Sequence, residues 1–270
     1  MLGLAALGSR QPVVRDTVDR TWLGASGNLR IRMMLPFEVR AAGRGIFAPS
    51  VADTPGVYRL AAVAPDGDSV SLVTLLPFAQ KSGSRLGSYR IGRWPAQAKN
   101  LPPGFIEVTR DNQHTPVSKR FRLADFLTHD QQAVWPKYLV LQPRLVDKLE
   151  LIGERLAALG KHSSLRIMSG FRTPQYNALG VGPSGGRARD SRHMYGDAAD
   201  VFVDHDGNGI MDDLDGDGRV TVADGRYLLA LAEQVEKTHP ELVGGLSAYP
   251  SNSAHGPFLH VDARGHRARW

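Results

Sequence analysis

The sequence predicts an α+β fold, and three observations support that class. Apolar patterns typical of helices and of strands alternate irregularly along the 270 residues, and the intervening strands are short. Hydrophobic residues make up 42% and charged residues 22% of the chain, which is an ordinary globular composition. No apolar run approaches the ~18 residues of a membrane-spanning helix. The absence of cysteine excludes a disulfide scaffold, a cysteine nucleophile and cysteine-ligated zinc.

The first 112 residues are predicted to form a β-rich unit of unknown role. Alternating and β-branched runs bounded by Gly, Pro and Asp are typical of short strands. Two of these runs flank Asp-Gly-Asp at 66–68, which predicts a hairpin. The predicted strands lie within Gly27–Arg40, Val57–Pro65, Ser69–Phe78, Ser88–Trp94 and Gly104–Thr109.

Residues 113–270 are predicted to form a second domain, with a small sheet and flanking helices. A helix over Arg144–Leu159 is indicated by apolar residues at helical spacing, followed by Gly160 as a stop signal. A second helix is predicted over Arg226–Lys237. The predicted strands of this domain are Leu165–Phe171, Asp197–Asp204 and Pro257–Gly265.

A metal site is predicted from the segment SRHMYGDAAD at 191–200. His193 and Asp200 are both good Zn²⁺ ligands, and Gly196 between them allows the chain to turn into the strand that carries Asp200. His260, in the apolar run FLHVD, is the best third ligand. Three protein ligands leave a fourth position open, as catalytic zinc sites do. Iron or manganese also suits two histidines and a carboxylate.

These residues resemble the LAS group of zinc peptidases, which comprises D-Ala-D-Ala carboxypeptidases, D-Ala-D-Ala dipeptidases and murein endopeptidases. The pattern S-x-H-x-x-G-x-A-x-D is complete at 191–200, the segment SGFRTPQYN at 169–177 is similar to the family's upstream segment, and a late H-x-D follows at 260–262. The resemblance covers roughly residues 121–270. It implies the hedgehog/DD-peptidase fold, with His193, Asp200 and His260 as zinc ligands.

The resemblance also implies metal-assisted amide hydrolysis, with one departure from the family pattern. Arg172 matches the family arginine that binds a substrate carboxylate or polarises the scissile carbonyl. Several family members carry an acid three positions before the last zinc histidine, but this chain has Pro257 there. Two candidates remain for the catalytic base. His255 has a suitable ordinary pKa of about 6.5, and Asp262 can act as a base or orient a zinc ligand.

Two overlapping calcium loops are predicted directly after the second zinc ligand, within 204–224. The spacing of oxygen ligands around a glycine is that of a calcium-binding loop, and Asp rather than Glu at the last position resembles the dockerin type. Structural calcium is therefore predicted, with Asp215 able to serve both loops. The candidate ligands are Asp204, Asp206, Asn208, Ile210 and Asp212 in the first loop, and Asp213, Asp215, Asp217, Arg219 and Asp224 in the second; Ile210 and Arg219 would use backbone carbonyls.

The net charge of +6 is unevenly distributed. Residues 190–224 contain ten Asp and two Arg, so the rest of the chain is strongly basic. A basic body is compatible with an acidic cell-wall polymer, whereas no aromatic-rich basic run favours nucleic acid. The resemblance implies a periplasmic or extracellular location, although MLGLAALGS at the start is not a complete secretory signal.

The leading hypothesis is a zinc metallopeptidase that hydrolyses peptidoglycan peptides and holds structural calcium. Carboxypeptidase, dipeptidase and endopeptidase activity all remain open, as does the oligomeric state. The alternative is a non-catalytic module of the same fold that contains zinc and calcium and binds the cell wall. The proline at position 257 favours this alternative.

Overall fold

The computed structural model describes residues 29–34, 56–60, 69–98, 100–160, 164–182 and 185–270. For residues 29–34, 56–60 and 69–74 it describes the backbone alone. It is a mixed α+β structure with few helices and several small sheets. The predicted fold class is therefore confirmed. The boundary predicted between residues 112 and 113 stays a prediction.

Three strands form a sheet near the start of the chain: β1 (Leu29–Met34), β2 (Gly56–Leu60) and β3 (Ser69–Thr74). The strand order is β1-β3-β2. β2 and β3 are antiparallel, as the predicted hairpin requires, whereas β1 and β3 are parallel. This part of the chain is β-rich, as the sequence predicts.

Five shorter strands follow. Gly104–Val108 is the central strand of a three-stranded sheet, and the segment predicted as a strand over Ser88–Trp94 forms only two strand residues. The reason is that Ile91 and Trp94 turn into the core, while the amides of Ile91 and Gly92 both donate to the Ser84 carbonyl. The five strands are β4 (Leu76–Pro77), β5 (Arg85–Leu86), β6 (Tyr89–Arg90), β7 (Gly104–Val108) and β8 (Lys137–Leu139).

Three α-helices are present in the described residues: α1 (Pro143–Ala158), α2 (Pro174–Ala178) and α3 (Val222–Thr238). α3 begins four residues before its predicted start, because Thr221 and Asp224 form a capping box. The Thr221 hydroxyl accepts from the Ala223 amide, and the Asp224 carboxylate accepts from the Thr221 amide. None of these helices combines the length and apolar character needed to cross a membrane.

A five-stranded sheet carries the predicted zinc ligands. Its strand order is β13-β11-β12-β10-β9, and all its pairings except β11 with β13 are antiparallel. Helix α3 packs on β11 and β12 and also against α1. The strands are β9 (Leu165–Ser169), β10 (Ala198–Val203), β11 (Gly245–Tyr249), β12 (Phe258–Asp262) and β13 (Ala268–Arg269).

A buried ion pair ties the two long helices to this sheet. Lys148 of α1 is fully buried, and its Nζ donates to Glu236 Oε1 of α3 at 2.6 Å and to the Asp262 carbonyl of β12 at 2.7 Å. Burial lowers the pKa of Lys148, and the Glu236 carboxylate partly counteracts that shift. A buried charge without its partner is strongly destabilising. Movement of either helix away from the other, or of α1 from the strand that carries His260, would separate these partners and is therefore unfavourable.

Candidate metal centre

Strand pairing brings Asp200 and His260 together. The two residues lie directly opposite each other in the antiparallel pair of β10 and β12, so their side chains project from the same face of the sheet. His260 Nδ1 is 2.9 Å from Asp200 Oδ1. Both residues are buried. The register of these two strands therefore supplies two of the three predicted ligands.

His193 reaches the same point from outside the sheet. It lies in a 3-10 helix over Arg192–Tyr195 that ends at Gly196, whose φ of 70° is in the left-handed region. A Cβ at Gly196 would lie 2.3 Å from the Val140 carbonyl oxygen, so only glycine fits there. His193 Nδ1 donates to the Gly170 carbonyl at 2.8 Å. That hydrogen bond leaves Nε2 free to act as a ligand.

The three ligand atoms have the spacing of a tetrahedral zinc site. His193 Nε2 is 3.2 Å from Asp200 Oδ1 and 3.3 Å from His260 Nδ1. Ligand atoms placed about 2.05 Å from a tetrahedral ion lie about 3.3 Å from one another. The donor set of two imidazole nitrogens and one carboxylate oxygen is also one that zinc prefers. The residues present therefore fit a zinc ion.

The pKa shifts of the three residues differ in direction. Burial lowers the pKa of His193, which favours its neutral ring. Burial alone would raise the pKa of Asp200, but its contacts with His193 and His260 outweigh it and hold that pKa well below its ordinary value. Burial would lower the pKa of His260, but its hydrogen bonds to Asp200 and Asp262 raise it. Zinc coordination requires an ionised carboxylate and neutral imidazoles, so binding of the ion would displace a proton from His260.

Asp262 contacts the metal group through His260. Its Oδ2 accepts from His260 Nε2 at 3.3 Å, on the side of the ring opposite the ligand atom Nδ1. The same carboxylate accepts from the Gly245 amide and pairs with the Arg264 guanidinium. Burial would raise the pKa of Asp262, but the bonds from His260 and Arg264 hold it well below its ordinary value. This fully buried carboxylate therefore stays ionised and orients the His260 ring.

Arg172 lies on the other side of Asp200. Its guanidinium donates to Asp200 Oδ2 at 3.2 Å and to Ser169 Oγ at 3.0 Å. The Arg172 backbone amide donates to the His193 carbonyl, which fixes the two segments together. Arg172 is buried, and its Nε has no hydrogen-bond partner among the residues that the structure describes. Burial lowers the pKa of this guanidinium and Asp200 partly restores it.

His255 lies in the loop before β12, and both its ring nitrogens have partners. Nδ1 donates to the Gly256 carbonyl at 2.8 Å, and Nε2 lies 2.9 Å from Asn252 Nδ2. The ring also packs edge-on against Phe258, with centroids 4.8 Å apart. The Asn252 amide therefore occupies Nε2 in this arrangement. Its role as catalytic base stays a prediction.

The acidic segment, residues 204–224, contains two separate carboxylate groups. The first contains Asp204, Asp206 and Asp212, and the second contains Asp213, Asp215 and Asp224. The remaining predicted calcium ligands lie in the same loops. Asn208 Oδ1 accepts from the Ile210 amide, and Asp217 Oδ1 accepts from the Arg219 amide.

Three residues that the sequence reasoning left unassigned also touch the site. Ser169 holds Arg172, Arg264 holds Asp262, and the Trp270 ring lies 5.3 Å from the His260 ring. Arg264 follows Asp262 by two residues, which is a local signal for a same-face pair. Ser169 is three residues before Arg172 in the segment SGFRTPQYN, so its contact is local too. Trp270 gives no such signal, because only the pairing of distant strands brings it here.

A comparison with protein families connects this geometry to a known class. Residues 110–208 match the family model Peptidase_M15_2, described as peptidoglycan L,D-endopeptidase MepK. The matched segment includes Arg172, His193 and Asp200 and ends before His260. Over this segment the chain is similar to M15 zinc peptidases, which supports a peptidoglycan peptidase. Searches of curated proteins and of solved structures gave no match.

Proposed function

We propose that this protein is a zinc-dependent endopeptidase of peptidoglycan. The observation that carries the proposal is the convergence of His193 Nε2, Asp200 Oδ1 and His260 Nδ1 at zinc-ligand spacing, with the buried Arg172 guanidinium beside them. Bound zinc would supply Lewis acidity for amide hydrolysis. The description of the matching family favours endopeptidase over carboxypeptidase activity, and specifically the L,D type.

Arg172 is proposed to bind and polarise an oxygen of the substrate. A guanidinium stays charged at all relevant pH values and can donate two parallel hydrogen bonds. Asp200 uses one of its amino groups, while Nε is buried and unpaired within the described part of the chain. We propose that this guanidinium donates to a carboxylate of the substrate or to the oxygen that gains charge during hydrolysis.

The remaining roles follow from the contacts of each side chain. Asp262 is proposed to position His260 rather than to act as the base, because three residues already donate to its carboxylate: His260, Arg264 and Gly245. His255 is the remaining candidate for proton transfer, after rotation of Asn252 away from Nε2. A peptidoglycan substrate would place the enzyme in the periplasm or outside the cell.

The test is hydrolysis of two purified cross-linked muropeptides, one joined by a D,D bond and one by an L,D bond. We expect the zinc-loaded protein to convert the L,D-linked dimer to monomers, and a zinc chelator to stop the reaction. Product masses identify the bond. Loss of a single terminal residue would indicate a carboxypeptidase instead. Stoichiometric zinc without any cleavage would favour the non-catalytic cell-wall-binding module.

We further propose that the acidic segment binds calcium as a structural ion. Each of its two carboxylate groups brings oxygen atoms of three aspartates within 4.8 Å of one another. Desolvation, together with the charges of Asp217, Asp224 and Asp213, raises the pKa of Asp215. A hard cation would relieve this repulsion, and oxygen ligands in glycine-containing loops suit Ca²⁺.

Removal of calcium is expected to lower the melting temperature of the protein by about 5–10 °C, because an ion at a hundred times its Kd contributes about 2.7 kcal/mol. The measurement is thermal unfolding with a calcium-selective chelator and after calcium is restored, with zinc content assayed in parallel. The double variant D206N/D215N should lose the calcium response, whereas D111N, an exposed aspartate outside the segment, should keep it. If the melting temperature of the unmodified protein is the same with and without calcium, the proposal is wrong.

A further inference from the structure

Trp270 is an exposed indole that is nevertheless held in one place. The residue is 57% exposed. Its Nε1 donates to the Tyr249 hydroxyl at 2.6 Å, and its backbone carbonyl accepts from Ser247 Oγ at 2.6 Å. The guanidinium of Arg264 lies 5.5 Å from the ring centroid. The ring therefore presents a fixed apolar surface to solvent.

This surface borders the metal group directly. The Trp270 and His260 ring centroids are 5.3 Å apart at an interplanar angle of 52°. Tyr249, which accepts from the indole, is stacked on Phe258 with centroids 4.8 Å apart. We call Trp270, Tyr249 and Phe258 the aromatic rim. Because Phe258 and His260 belong to the same strand and Tyr249 pairs with Phe258, the rim is built on the strands that carry the ligand.

The rim and Arg172 lie on opposite sides of Asp200. Arg172 contacts Asp200 Oδ2, whereas His260 contacts Oδ1 and in turn supports the Trp270 ring. A molecule bound across the metal group would thus meet a buried cation at one end and an aromatic surface at the other. That polarity suits a ligand with an anionic group on one side and a hydrocarbon chain on the other.

We propose that Trp270 is a specificity-determining residue that binds the aliphatic side chain of a diamino acid adjoining the cleaved bond, while Arg172 binds the carboxylate at the other end. This inference rests on the proposed peptidase function. The methylene groups of such a side chain would lose water against the indole. A residue with only a methyl side chain would gain much less of this contact.

The experiment compares KM and kcat of the zinc-loaded protein, W270A and W270F on two peptides that differ only in having a diamino acid or alanine beside the cleaved bond. For W270A we expect KM for the diamino acid peptide to rise about ten- to a hundredfold, with a smaller change in kcat and little change for the alanine peptide. W270F should fall between W270A and the unmodified protein. L159A, which shortens an exposed apolar side chain at the end of α1, is the matched control.

Zinc content and melting temperature are measured on each variant because Trp270 contacts a ligand. An active unmodified protein and an unchanged KM in W270A would overturn the inference and leave the proposed function intact. Loss of zinc or of kcat alone would also overturn it, since Trp270 would then only support His260. If W270A does not fold, W270F decides by the same criterion. An unmodified protein that cleaves neither peptide overturns the proposed function, and this inference with it.

Discussion

Replacement of His193 with alanine is expected to remove both stoichiometric zinc and peptide hydrolysis. His193 supplies one of the three ligand atoms found in this group among the described residues, and its imidazole is oriented by the Gly170 carbonyl. Removal of a residue that only hydrogen-bonds to a metal ligand lowers metal affinity or activity about 10–100-fold. Removal of a ligand itself should therefore have a larger effect. The measurements are metal content by elemental analysis and cleavage of a cross-linked muropeptide.

H239A is the matched control for this substitution. His239 is a half-buried histidine at the end of α3, where it pairs with Glu241 outside the metal group. The control should retain zinc and activity, which would show that loss of a histidine alone does not explain the result. Full activity in H193A would exclude this histidine from the reaction, and full zinc content in H193A would exclude it from the metal site.

The second large effect is expected from R172K, which keeps the positive charge but removes the planar pair of donors. We expect kcat/KM to fall by about 10²–10³, comparable with the loss of one donor to a developing oxyanion. Zinc content should stay near that of the unmodified protein, because Arg172 contacts only the outer oxygen of Asp200, whereas Oδ1 faces the histidines. The measurement is steady-state kinetics on the muropeptide together with a zinc assay.

The control for R172K is R166K, the same change at an exposed position of the neighbouring strand β9. It should leave kcat/KM within about twofold, as surface substitutions usually do. Equal activity in R172K and R166K would contradict the proposed role of Arg172. A zinc-free R172K protein would assign Arg172 to metal binding instead, because its contact with Asp200 would then be needed to hold the ligand.

Most of the metal group could be predicted from the sequence because its signals are local. His193, Gly196 and Asp200 lie within eight residues, and Gly196 is required by the close approach of the Val140 carbonyl. Arg172 was predicted from the resemblance of the segment SGFRTPQYN to the family. His260 was predicted as a ligand from the run FLHVD, but its position opposite Asp200 depends on the register of two strands. No local sequence pattern determines that register.

The parts that could not be predicted depend on contacts between distant residues. β11 (Gly245–Tyr249) contains glycine, serine and alanine and has little strand propensity of its own; it is a strand because β12 and β13 pair with it on either side. For the same reason no sequence pattern predicted the contact between Trp270 and His260. The ring reaches His260 through bonds to Tyr249 and Ser247 of that unpredicted strand.

The pairing of Asp200 with His260 has a consequence for the folding of the chain. The two residues are 60 positions apart, so an ion that both ligate would act as a cross-link closing a long loop. A cross-link of this kind restricts the unfolded chain more than a short one does. Since the ligand set exists only when β10 and β12 are in register, the free energy of ion binding is added to that of folding. The acidic segment and helix α3 both lie within the loop closed in this way, so the ion would join their unfolding to that of the sheet.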